Sequence, residues 1–441
     1  MSLIDEYKNF LDCGKTEREC VDTIIQIAEN AGYREIDEFE HLNAGDKCYI
    51  VKADKSIALY HIGTLPLDKG MNILGAHIDS PRLDIKMKPL YESDGIVYLD
   101  THYYGGIKKY QWVTMPLAMH GVICKKDGTT VIVNVGEDED DIALCISDLL
   151  PHMAQEQMKA TAAEFIPGED LDLVVGLTPR ETEENKDEKE RGKKAILAVL
   201  KERYDIEEDD FLSAELEVVP AGRSRTLGFD ESMILGYGQD DRVCAFTSLK
   251  ALLDYKGEVN RTLCCLLVDK EEIGSVGMTG MSSNLFENFT AEILDKMEDY
   301  SELKLKRAFQ NSKMLSSDVN SAYDPHYAQL FDKKNSSPLS GGVVFNKYTG
   351  SRGKSGASDA NAEFISQLRK VLDDKKVTFQ MAEMAKVDVG GGGTIAKHCA
   401  QYGMEVIDCG VPVLSMHAPW EITSIFDIEC AYKGYKAFLS I

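Results

Sequence analysis

Five short segments each place His, Asp or Glu directly after an apolar run, where a loop can gather side chains from distant strands. In GAHIDSPRLD, His77 and Asp79 lie on the same face of an extended chain. That spacing lets Asp79 accept a hydrogen bond from the imidazole nitrogen that a metal would not use, fixing the tautomer and raising ligand basicity. In GYGQDDRVCAF, Asp240 and Asp241 open a helical pattern. A paired Asp there suits a helix cap facing the dipole, and Asp240 also suits a carboxylate bridging two cations. LLVDKEEIGSVG sets Glu271 and Glu272 between a buried strand and a glycine-rich turn. Adjacent side chains on extended backbone diverge, so one can bind metal while the other faces a substrate. LSSDVNSAYDP offers Asp318 and VPVLSMHAPWEITS offers His417. Each segment alone has a structural reading as a cap, a solvated acid pair or a satisfied core histidine. Together, two His and three carboxylates at predicted element edges form the ligand inventory of a two-zinc hydrolase. Three carboxylates offset three of the four positive charges, and the remaining charge acidifies a bridging water toward neutral pH.

These side chains need rigid elements to hold them. The opening segment has an amphipathic helical pattern, with Val21, Ile24, Ile25 and Ile27 recurring among charges. KCYIVKA, SIALYHIG and MNILGAHID then read as strands, the last ending in the polar cluster around His77. Open α/β sheets place their chemistry at such strand ends. From 92 to 233 the texture is β-rich, with GIVYLD, LAMHGVICKKDGTTVIVNVG, LDLVVGL and AELEVVP. DDIALCISDLLPHMAQEQMK and KKAILAVLKERY read as helices flanking the charged run ETEENKDEKERGKK, which reads as a solvated or mobile segment without chemistry. After 233, strand and helix signals alternate through RTLCCLLVD, KMLSSDV, KVDVG and VPVLSMH, as in a mostly parallel sheet covered by helices. The expected architecture is therefore an α/β catalytic domain from 1–91 and 234–441, with a mixed, mostly parallel sheet, interrupted by a β-rich domain at 92–233.

The 441 residues suffice for two domains, and the formal net charge of −25 argues against nucleic-acid or anionic-membrane partners, which require a basic face. The acidic, polar N-terminal stretch has no export signal, and no apolar run has the length of a membrane span. Eleven cysteines without a C-x-x-C pair, two of them inside TLCCLLV, fit reduced thiols in a cytoplasmic protein. No G-x-S-x-G or H-E-x-x-H occurs, so a serine hydrolase and a one-zinc helix site lack support. KVDVGGGGTIAK could cradle a phosphate as strand, glycines and helix, but it lacks the order of either glycine-rich nucleotide fingerprint. A catalytically silent assembly protein is a further alternative, opposed by the intact ligand set.

GAHIDSPRL, GQDDR, VDKEEIGSVG, SSDVNSAYDP, GGGGTIA and GVPVLSMHAPWE follow the order and approximate spacing of the aspartyl aminopeptidase family, and the resemblance spans nearly the whole chain. It implies a cytosolic two-metal aminopeptidase with zinc, or cobalt or manganese, acting on peptide N-termini. It further implies a β-rich domain used in assembly, commonly into a tetrahedral twelve-subunit shell. Carried over by residue, it assigns His77, Asp240 and Asp318 to one metal or the bridge, and Glu272, His417 and bridging Asp240 to the other. Asp79 would orient His77, and Glu271 would be the general base. A His borrowed from a neighbouring subunit is also implied, with His152 in SDLLPHMAQEQ as the candidate, and Gly392 and Thr394 are candidate substrate contacts. The chain departs from its family at one point. Members preferring acidic N-terminal residues carry Lys in a G-P-V-I-K strand, whereas GGVVFNKYTG has Phe345 there and Lys347 two residues on. An aromatic ring cannot pair with a substrate carboxylate, so neutral or apolar N-terminal residues are expected over Asp and Glu.

Overall fold

The computed structural model describes residues 1–138, 140–180 and 189–441. The opening amphipathic segment folds as two helices, Leu3–Cys13 and Glu17–Asn30. Each begins on a hydroxyl cap. Ser2 and Thr16 accept the amides of Asp5 and Glu19, whose carboxylates accept the caps' own N–H groups.

The chain forms two compact units, one of Met1–Ser80, Ser224–Met416 and Glu421–Ile441, the other of Pro81–Arg223 and His417–Trp420. Expectation put the second module at 92–233, and both boundaries fall earlier in the chain. Arg82–Ser93 is one continuous strand of the second unit's sheet, whereas Met233–Gly236 pairs antiparallel with Glu421–Ser424 in the first.

The first unit is built on a mixed sheet of nine strands among the described residues. At its centre Thr262–Val268, Met71–His77, Lys313–Ser317 and Glu405–Gly410 run parallel in that order, with antiparallel neighbours on both sides. Thr262–Val268 and Met71–His77 are buried along their whole length, as strands covered on both faces must be. Alternate residues feed two cores. Leu74, Ala76, Cys265 and Leu267 pack with helices Gln239–Leu253 and Ile425–Phe438, while Ile73, Cys264 and Leu266 pack with Leu285–Lys296 and Glu302–Gln310. A smaller sheet brings Gly236 opposite Glu421.

The second unit carries an antiparallel sheet in the order Thr130–Val135, Leu117–Cys124, Ala214–Pro220, Arg82–Ser93, Ile96–Tyr104, Leu173–Leu177 and Cys145–Ile146. Helix Arg191–Tyr204 follows the charged run, whose residues 181–188 lie outside the described residues. The helix expected over DDIALCISDLLPHMAQEQMK does not form. Cys145–Ile146 pairs with Leu173–Val174 instead, and Pro151, which has no amide to donate, opens a series of turns ending in a short 3-10 segment, Gln157–Lys159. KVDVG is also not a strand. It turns, with the amide of Val389 donating to Lys386 and Asp388 in the left-handed region at φ 68°, and Val387 and Val389 are exposed.

Candidate metal centre

Three parallel neighbours end at one edge of the first unit's sheet, and each delivers acid or imidazole there. Val268, which leads through Asp269 and Lys270 into the Glu271–Ile273 turn, is in register with His77, and the adjoining Lys313–Ser317 strand runs directly into Asp318. The carboxyl ends of parallel strands are where open α/β folds expose loops on a rigid base. Asp240 and Asp241 arrive from the entry to helix Gln239–Leu253. Gly238 caps that helix, both aspartates have non-helical backbone angles, and the peptide between them is cis.

The side chains converge closely. Ligand-type atoms of His77, Glu271 and Asp318 all lie within 4.8 Å of one another, as do those of His77, Asp240 and Glu272, and those of Asp240, Asp241 and Asp318. His77 Nε2 is 3.3 Å from Asp240 Oδ1 and 4.0 Å from Asp318 Oδ1. Its other nitrogen, Nδ1, is 3.0 Å from the Asp79 carbonyl and 3.2 Å from Asp79 Oδ1. With the proton on Nδ1, the imidazole turns a lone pair from Nε2 toward the carboxylates.

Asp79 does more than face His77. Fully buried, it accepts the amides of both Glu271 and Glu272, at 3.1 and 3.2 Å, so one carboxylate fixes the imidazole and the adjacent acid pair together. Asp240 is held from the far side. Its amide donates to Glu421 Oε2 at 2.9 Å, and its carbonyl accepts Ser80 Oγ at 2.6 Å. Beneath the acid pair, Thr279 Oγ1 donates to Asp269 Oδ2 at 2.6 Å and Ser56 Oγ donates to the Thr279 carbonyl at 2.7 Å, pinning both ends of the loop.

Six carboxylates around one imidazole repel one another. Burial pushes Asp241 well above the usual carboxylate range, and it does the same to Asp318, with the charge of Glu271 adding to it. Burial alone would lower the His77 pKa, but hydrogen bonds to Asp240 and Asp79 outweigh it and raise the imidazole well above its ordinary value. Stripping a carboxylate of water costs several kcal/mol, on the order of the penalty for any buried ion, unless positive charge compensates it. A cluster of this sign, with oxygen and nitrogen donors and no thiolate, fits a divalent cation of borderline or hard character, zinc among them.

The comparisons with known proteins agree with this chemistry. Residues 10–439 match the family model described as aminopeptidase I zinc metalloprotease (M18). The chain belongs to the M18 family of zinc aminopeptidases. It is 55% identical to a probable M18 family aminopeptidase 1 of Clostridium acetobutylicum, over all of this chain and 94% of that one. The crystal structure of an M18 aminopeptidase from Thermotoga maritima matches with a TM-score of 0.95 at 42% identity, covering 99% of this chain and 95% of that one. The mApe1 dodecamer of S. cerevisiae shares the fold at a TM-score of 0.78 and 20% identity, covering 99% and 96%. The protein is thus a metallo-aminopeptidase, a hydrolase, and no helix among its described residues is long and apolar enough to cross a membrane.

Within this M18 enzyme the other sequence candidates take varied positions. His417 falls in the second unit, with φ 65° and Nδ1 3.0 Å from the Gly106 carbonyl. His152 is exposed in a turn of that unit. Phe345 is 1% exposed, set edge-on to Phe379 in the core, so its ring cannot wall a substrate pocket. The strand Val343–Asn346 ends before Lys347, which is exposed. Thr394 is buried, donating to Asp408 and accepting the amide of Ala396, which makes it a structural residue rather than a substrate contact. At Gly392 an added Cβ would meet nothing, whereas at Gly391, with φ 143°, it would strike the Gly350 carbonyl at 2.0 Å. The close approach made by these glycines is therefore to the chain's own backbone. With KVDVG turned and the following helix only Ala396–Ala400, the strand, glycine and helix cradle for a phosphate is not formed. Asp241, read from the sequence only as part of a helix cap, belongs to the cluster, and Glu421, which the sequence analysis did not single out, supports it through the Asp240 amide. Asp241 shares the capping signal of its neighbour, and Glu421 has no spacing relation to Asp240 until the small sheet pairs it with Gly236.

Proposed function

We propose that the enzyme removes single residues from peptide N-termini, with two divalent ions held by His77, Asp240, Glu272, Asp318 and His417. The observation that carries this reading is the convergence of His77, Asp240, Glu271, Glu272 and Asp318 at one sheet edge. The chemistry supplied by ions bound there is positive charge, which polarises the scissile carbonyl and acidifies water. Asp240, which reaches both His77 and Asp318, would be the carboxylate shared between the two ions. Glu271, the first of the acid pair that Asp79 anchors, takes a proton from the attacking water on its carboxylate and hands it to the leaving amine. Asp79 keeps the proton on His77 Nδ1 and holds the Glu271 turn still.

Neutral or apolar N-terminal side chains are preferred over Asp and Glu. The acid-rich centre repels a further carboxylate unless a cation meets it, and the ammonium that acid-preferring members carry at position 345 is missing, Phe345 being buried in the core instead. Self-association uses the β-rich unit, in keeping with the dodecameric relative, and the enzyme works in the cytoplasm. A panel of Leu, Met, Asp and Glu p-nitroanilides, assayed after chelation and add-back of zinc, cobalt or manganese, tests activity and preference together. An acidic preference of tenfold or more in kcat/KM, about 1.4 kcal/mol, overturns the specificity, and activity indifferent to chelation overturns the ion-dependent chemistry.

A further inference from the structure

The loop that follows the acid pair, IGSVGMTGM at 273–281, contains no charged residue although it borders a carboxylate cluster. It is pinned, with Ser275 and Thr279 3% and 2% exposed, the Ser275 amide donating to the Lys270 carbonyl at 2.6 Å and the Ser282 amide donating to the Ser275 carbonyl at 3.1 Å. Between these pins the apolar side chains point outward. Ile273, Val276 and Met278 are 49%, 70% and 58% exposed. The loop folds back on the residue preceding Glu271. Gly277, at φ 120°, sits so close that an added Cβ would lie 3.1 Å from Lys270 Cδ. These pins hold three apolar side chains at the surface of the loop that begins at the acid pair.

The chemistry of the leaving group says what meets it. The nitrogen that Glu271 protonates is bonded to the Cα of the substrate's second residue, so that residue's side chain comes close to Glu271, and the exposed apolar groups next to Glu271 along the chain are those of this loop. We propose that Ile273, Val276 and Met278 receive the side chain of the substrate's second residue, so that the enzyme favours peptides apolar at that position. This rests on Glu271 being the proton carrier.

The test compares kcat/KM for Leu-Leu amide and Leu-Gly amide, each divided by the same enzyme's value for leucine p-nitroanilide, which has no second residue. The native chain should favour Leu-Leu amide at least about fivefold, Val276→Ser/Met278→Ser should bring the ratio below about two, and Met278→Leu should keep it. If the double variant fails to fold, Met278→Gln serves in its place and should lower the ratio. A native ratio near one, or a ratio unchanged in the polar variants, overturns the proposal. So does an unchanged ratio accompanied by a smaller mass in light scattering, which would make the loop an interface between copies of the chain. No hydrolysis of leucine p-nitroanilide by the native enzyme would instead overturn the neutral N-terminal preference of the proposed function, and the same ratio is then read with Asp-Leu amide and Asp-Gly amide.

Discussion

Asp79 and Glu421 show how much of the centre depends on residues that need touch no ion. One buried carboxylate receives two successive amides and faces the imidazole, and the other receives the amide of Asp240. Charge-assisted bonds of this kind hold side chains in one geometry and strengthen the donors they orient. Glu271 itself has a different task. Glu271→Gln should keep fold and metal content yet lose nearly all turnover, since an amide cannot accept a proton from water. Retention of more than about a tenth of the native rate, a loss under about 1.4 kcal/mol in barrier, refutes the assignment. His417→Ala should lower the metal bound per chain, and unchanged stoichiometry in elemental analysis removes His417 from the ligand set. The sequence made the candidate ligands legible because each lies near the end of an apolar run. Glu421 stayed hidden because its partner is set by strand pairing, which leaves no local pattern.

Among the elements, helix Ile425–Phe438 has a titrating attachment. Asp427, in its first turn, accepts the amides of Ser340 and Gly342, each at 2.7 Å, and so ties down the approach to strand Val343–Asn346. Burial pushes its carboxyl up from 3.8 to about 6. A folded-state pKa above the unfolded one favours the protonated acid in the fold, so this contribution is fully present below about pH 4 and is lost as pH rises through about 6. Asp427→Asn cannot titrate, and its Tm relative to the native chain should climb between about pH 4 and pH 7. Parallel Tm curves across that window would remove the claim. Element types were readable wherever the apolar period was long and uninterrupted, as in MNILGAHID and TLCCLLV. They misled where a short apolar run had two uses. KVDVG has strand composition but pairs with no strand among the described residues, and the stretch around Pro151 has helical spacing that a missing amide and a two-residue strand pairing overrule.

For the whole molecule, the expected outcome is a large homo-oligomer. The second unit presents Ile132, Met153, Met158 and Leu177 at the surface, apolar side chains that contact between copies would cover. Light scattering that finds only monomer at micromolar concentration defeats this. At this scale the division between sequence and tertiary structure is sharp. The class of chemistry, the α/β architecture and the family were determined by the sequence alone, because ligand types, their order and the apolar runs before them are local properties that survive in one dimension. Which acid steadies which neighbour, where the β-rich unit begins, and whether Phe345 lines a pocket or fills a core were decided only in three dimensions. Strand register brings His77, Val268 and the approach to Asp318 to one edge, and the pairing of Gly236 with Glu421 carries a distant carboxylate to Asp240. The physical reason is that burial and hydrogen-bond partnership belong to the packed chain, and no spacing rule encodes a contact between residues so far apart along it.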